Sequence, residues 1–135
     1  MGKKLNKLRP PLPTISSTPQ DEIVFSFKGL KMFSFAEAKN DSEFFIQFLE
    51  RLSKISSMTW SSAYTTQKHG IGGIESMKVQ SLNVSAQKLV PSGVESLITM
   101  RATGDNHVFL GYREKNVFNV MFIEYAFGDV YDHGC

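Results

Sequence analysis

Arg101, His107, Arg113, Tyr131 and His133 are the residues whose types could carry catalysis, and all lie in the C-terminal third of the chain. Together they suit metal-free chemistry on a phosphodiester. Arginine offers a planar fork of donors that matches phosphate oxygens. Histidine titrates near neutral pH and can move protons, and tyrosine can stack on a base or donate a hydrogen bond. Cleavage of RNA without a metal needs a base for the 2′-hydroxyl, cations for the charged phosphorane, and an acid for the leaving oxygen. The bland alternative is that strand arginines and tyrosines are solvated edge residues and that each histidine is satisfied locally.

A second group would border such a site. His69 opens the run His69-Gly70-Ile71-Gly72-Gly73, whose glycines mark a loop with unusual backbone angles. The spacing fits neither a dinucleotide fingerprint nor a Walker loop. Tyr125 follows the last long apolar run, and Lys3 and Lys4 begin a basic arm that could touch phosphate or a partner protein. A metal site is not expected: His69, His107 and His133 are far apart, with no Cys-x-x-Cys or His-Glu-x-x-His. No cofactor motif is present. Cys135 is the single cysteine and stands at the end of the chain, so it has no partner for an internal disulfide and no scaffold for a nucleophile.

Elements must position these residues. Residues 1–21 carry Lys3, Lys4, Lys7 and Arg9 among Pro10, Pro11, Pro13 and Pro19, which predicts a flexible or polyproline-like arm. Residues 22–135 form the expected single domain. Alternation of Ile23, Phe25 and Phe27, then Phe33 and Phe35, with Gly29-Leu30 between, predicts a β-hairpin. Asp41 or Ser42 caps a helix whose core face would hold Phe45, Phe48, Leu49, Leu52 and Ile55. A shorter helix is expected over 59–65, with Trp60 and Tyr64, and a short strand over 75–79. Residues 80–96, interrupted by Pro91 and Gly93, stay ambiguous. Strands over 97–102, 107–113 and 117–124 then make a meander. In the last strand, Phe118, Val120 and Phe122 form one alternating set, with Met121 and Ile123 on the other face. Arg101, His107 and Arg113, on successive strands, are expected to project from one face. The fold class is therefore α+β: an N-terminal β-hairpin and helices packed on a C-terminal antiparallel sheet.

Length and composition agree with this. The chain has 135 residues, 41% hydrophobic and 21% charged, enough for one ordinary core. No apolar run is long enough for a membrane span, and no apolar segment follows Lys3 and Lys4 as a secretory signal would require. A cytoplasmic location is the expectation. The formal net charge of +2 does not by itself establish a nucleic-acid partner.

The order of elements, helices before an antiparallel sheet, resembles the RelE/ParE superfamily of bacterial toxins over roughly the last half of the chain. The stretch carrying the likeness runs from Met100-Arg101 through His107 to Tyr112-Arg113, then Val117 to Ile123, then Asp129-Val130-Tyr131. Arg101 matches the first strand arginine of that family. His107 falls where many members have a second arginine, Tyr131 where several RNA-cleaving members have a terminal tyrosine, and His69-Gly70 resembles the His and Gly before their first long strand. The hairpin, the histidine at 107 and the greater length depart from the pattern. The resemblance implies a metal-independent endoribonuclease toxin of a toxin–antitoxin or defence module. Arg101 and Arg113 would hold the phosphate, His133 or His107 would serve as acid or base, and Tyr131 would orient the substrate. The implied partners are RNA, free or ribosome-associated, and a neutralising protein; self-association is compatible. The rival expectation is a non-catalytic interaction protein (an antitoxin, an immunity or inhibitor protein, or a phage-encoded regulator) that binds through the aromatic segment at 22–35 and the basic arm. A ParE-like inhibitor without nuclease activity is a third reading.

Overall fold

The computed structural model describes residues 21–66, 73–104 and 107–132. The frame of the α+β fold is a five-stranded sheet in the order β1-β5-β4-β3-β2. Its strands are β1 (Val24–Ser26), β2 (Glu75–Lys78), β3 (Ser96–Arg101), β4 (Val108–Glu114) and β5 (Val117–Ile123). Strands β2 to β5 pair antiparallel in succession, giving the expected meander. Helices α1 (Ser42–Ile55) and α2 (Trp60–Thr65) precede it, and a single turn of helix, α3 (Val84–Gln87), sits inside the stretch the sequence leaves ambiguous. Four residues are too few for a helical period to show.

The segment expected as a hairpin is different. Strand β1 runs parallel to β5, with Val24 opposite Val117 and Ser26 opposite Asn119. Leu30 N–H donates to Phe27 O at 3.1 Å, so a turn does form around Lys28-Gly29. The chain then resumes its direction instead of folding back: Lys31 N–H donates to Met121 O at 2.8 Å, and Ser34 pairs in parallel with Ile123. The aromatic rings explain the choice. Phe25 rests against Phe109 and Phe118, with centroids 5.9 and 5.8 Å away, whereas Phe33 packs on Phe122 in the opposite core. Phe25 and Phe33 thus serve different faces of the sheet, while Phe35 returns to the core that Phe25 joins, so the two runs do not cover one face of a hairpin.

Helix α1 forms where the sequence places it, rotated from the expected phase. The Asp41 carboxylate accepts from Phe44 N–H at 3.0 Å and caps it. Its core face is Phe44, Phe48, Leu52 and Ile55, with Phe45 at the margin, while Leu49 is 63% exposed. Thr59 and Ser62 make a reciprocal capping box for α2. Trp60, wholly buried, donates its indole N–H to Asn116 O at 3.0 Å and ties α2 to the β4–β5 turn.

The two faces of the sheet carry separate cores. One holds Met100, Phe109, Phe118, Val120 and Ile123 under α1 and α2. The other holds Leu97, Val108, Leu110, Met121 and Phe122 under Leu82, Ala86 and Val130. The strict alternation expected in β5 fails because the register with β4 shifts between Leu110 and Gly111: Leu110 faces Phe122, but Gly111 faces Val120. Met121 is the extra residue of a β-bulge, so Met121 and Phe122 share one face and Ile123 joins Phe118 and Val120 on the other. Gly111 is required there, since a Cβ would overlap the Asn119 carbonyl oxygen. No helix among the described residues is long and apolar enough to cross a membrane.

Candidate functional site

The bulge and strand registers divide the residues singled out from the sequence among three places. Arg101 pairs with Val108, and its side chain is on the α3 side of the sheet. Tyr131 is on that side too, half-buried, through its bridge to Leu82. Its phenol is held above the usual range by burial first, then by the charges of Glu124 and Glu75, with Arg101 opposing. Glu124 is fully buried and accepts from Val130 N–H at 3.0 Å, which shapes the approach to Tyr131. Asn83 pins the same loop, donating from its side chain to Gly128 O at 2.7 Å.

Arg113 is elsewhere. It sits at the far end of β4 on the helix side, with its guanidinium carbon 4.5 Å from the centre of the Trp60 ring, and its Nε–H donates to Lys115 O. The expectation that Arg101 and Arg113 share one face is therefore corrected. Val108, the partner of Arg101, lies five residues before Arg113 on β4, and the two arginines are on opposite faces, so one phosphate cannot bridge them.

His107 and Tyr125 do come together, on the helix side. The imidazole lies nearly parallel to the Tyr125 ring, with centroids 6.0 Å apart at 17°, and touches Phe127 at 4.9 Å and Phe44 at 5.2 Å. Its Nδ1 is 3.1 Å from Thr103 Oγ1. The Tyr125 hydroxyl donates to Asp41 at 2.6 Å. That bond, followed by the Phe44 N–H, holds the Asp41 carboxyl below its usual range and holds the phenol above its own. Open clefts beside the cluster are lined by Glu37, Asp41 and Glu43, a setting that repels a phosphate. His69, His133, Lys3, Lys4 and Cys135 lie outside the described residues. Among the described residues no group of three His, Cys, Asp or Glu side chains could hold a metal ion.

A different surface stands out at the sheet edge. Val24, Phe27 and Met32 are all exposed within nine residues, Met32 to 76%. Between them lie Lys28 and Lys31. A cleft of about 590 Å³ runs beside β1, lined by Val24, Lys28, Lys115 and Asn119. A neighbouring one of about 300 Å³ is lined by Lys28, Lys31, Tyr112 and Met121. The sequence marks this segment as a binding surface by its aromatic residues but gives no signal for its lysines, because charges inside an expected hairpin are ordinary solvated positions. Asp41 reads from the sequence only as a helix cap, and nothing there links it to a tyrosine 84 positions away. Comparison with family models, curated proteins and solved structures finds no match.

Proposed function

We propose that this chain is a non-catalytic interaction protein, of the antitoxin, immunity or regulator kind, acting in the cytoplasm on a protein partner. The observation that carries this reading is the edge segment 24–32, where exposed Val24, Phe27 and Met32 alternate with Lys28 and Lys31 beside an open cleft. Exposed large apolar side chains gathered on one segment mark a contact surface more often than chance. Strand addition is not the mode. A strand of three residues, with charged Glu22 before it and Lys28 after it, is a form in which natural edges are protected from pairing. The contact runs through side chains instead. The partner that fits presents an apolar centre for Phe27 and Met32, ringed by carboxylates for Lys28, Lys31 and Lys115.

The test is a photo-crosslinking residue placed at Met32 in the host cell, with the same residue at exposed Glu50 of α1 as control. The expected result is a discrete protein adduct from position 32 only, lost in the Lys28→Glu/Lys31→Glu double variant and weakened by salt. Adducts from both positions alike, or adducts only to RNA, would refute the reading.

One observation favours the endoribonuclease reading as a second. Arg101 and Tyr131, the two positions that best match the RelE-like pattern, stand on the same side of the sheet. In that reading the phosphate would be held on the α3 side, and neither Arg113 nor His107 would take part.

A further inference from the structure

Tyr112, Asn119 and Met121 stand together on the α3 side of the sheet, at the opposite end of β4 from Val108 and its partner Arg101. Tyr112 and Asn119 are paired, so they share this face, and Met121 lies two residues beyond Asn119 on the same strand. Pro91, which follows α3, and the turn at Lys28 close over them and leave a cleft of about 300 Å³. The Lys31 N–H bond to Met121 O, at 2.8 Å, fixes the turn against the floor of the cleft. The Asn119 amide donates to Tyr112 O at 3.3 Å and to Glu114 at 3.4 Å, which makes it a wall between this cleft and the one beside β1. The bulge at Met121 lies beneath, and bulges are over-represented beside functional sites.

The lining defines what such a cleft can take. Ligand pockets begin at about this volume and combine apolar walls with a few polar groups. Here the walls are the rings of Pro91 and Tyr112 and the Met121 side of the floor. A flat ring stacks on tyrosine, and a thioether makes favourable contacts with ring edges. The charge is of one sign. Lys28 and Lys31 line the cleft, and no Asp or Glu does; the Glu114 carboxylate opens on the neighbouring cleft instead. Two lysines without a lining carboxylate attract an anion and repel a cation.

We propose that this cleft binds a small aromatic molecule that carries one acidic group, a carboxylate or a phosphate. The ring lies against Tyr112, Met121 and Pro91, and the acidic group meets Lys28 and Lys31. The volume suits one or two fused rings. The site shares its two lysines with the proposed partner contact but none of the exposed apolar residues of that contact, and it stands whether or not a partner binds.

The experiment is a titration of the purified full chain, with ¹³C-labelled methionine methyl groups, by 2-naphthoate. The Met121 methyl should shift through the ring current of the ligand, while Met32 on the exposed edge and Met100 in the opposite core stay in place. No shift at Met121 would overturn the site. A shift at Met32 in its stead would place the binding on the edge surface and overturn it equally. The uncharged 2-naphthamide should bind roughly tenfold more weakly than the acid, and the Lys28→Ala/Lys31→Ala variant should lose that difference. Equal affinity for acid and amide in wild type, or a preference for the acid that survives in the variant, would refute the role of the lysines. Both lysines are on the surface turn, so the variant should melt where wild type does, and the comparison holds between folded proteins. Titration with 2-naphthyl phosphate separates the two acids: the tighter ligand identifies the acidic group.

Discussion

Tyr125 and Asp41 show how one hydrogen bond couples two distant parts of the chain. The hydroxyl donates at 2.6 Å to the carboxylate that also caps α1, so the capping residue and the loop after β5 are fixed together. Ser34 reinforces this by donating to Asp129 at 2.6 Å and accepting from Tyr125 N–H at 2.7 Å. The pH consequences have definite signs. The Asp41 carboxyl is depressed below its ordinary 3.8, so its contribution is fully present above that pH and is lost as pH falls through the folded value. The Tyr125 phenol is raised above 10.0, so its contribution is present below that pH and is lost in stronger alkali. Chemical denaturation of Tyr125→Phe against wild type should show the variant less stable at pH 7, with the gap closing below about pH 4. A gap of constant size down to pH 2 would contradict the assignment.

At the scale of elements, the meander, both helices and the first cap are legible because long apolar runs, turn residues and a capping aspartate act locally. What the sequence hides is the outcome of competition between distant partners. The alternating phenylalanines of residues 23–35 signal extended chain correctly, yet the choice between folding back and lining up beside β5 depends on Phe109, Phe118 and Phe122. The bulge at Met121 likewise leaves no mark in the run from Val117 to Ile123, and it alone inverts the faces of Phe122 and Ile123. Its trace is Gly111 on the neighbouring strand, a glycine in the middle of an apolar strand. Gly111→Ala should destabilise the fold by about 3 kcal/mol or more, since the clash is with backbone and cannot be relieved by a rotamer change. Urea denaturation reads this directly. A cost under about 0.5 kcal/mol, the level of an ordinary surface substitution, would mean that the bulge is not where the structure puts it.

At the scale of the whole molecule, the sheet acts as a partition. Its helix side gathers His107, Tyr125 and Asp41 at one end and Arg113 over Trp60 at the other, while Arg101 and Tyr131 belong to the α3 side. The candidate residues were legible as types, but their convergence was not, because convergence depends on register. This separation argues against a nuclease that clamps one phosphate between Arg101 and Arg113. The exposed apolar and lysine-rich edge is the feature on which the proposed contact with a protein partner rests. Incubation of the purified chain with a long single-stranded RNA, in the presence of a metal chelator, decides between the two readings most directly. The RNA should stay intact even with protein in excess. Discrete fragments ending in 2′,3′-cyclic phosphate, formed by wild type and lost in Arg101→Ala, would contradict it.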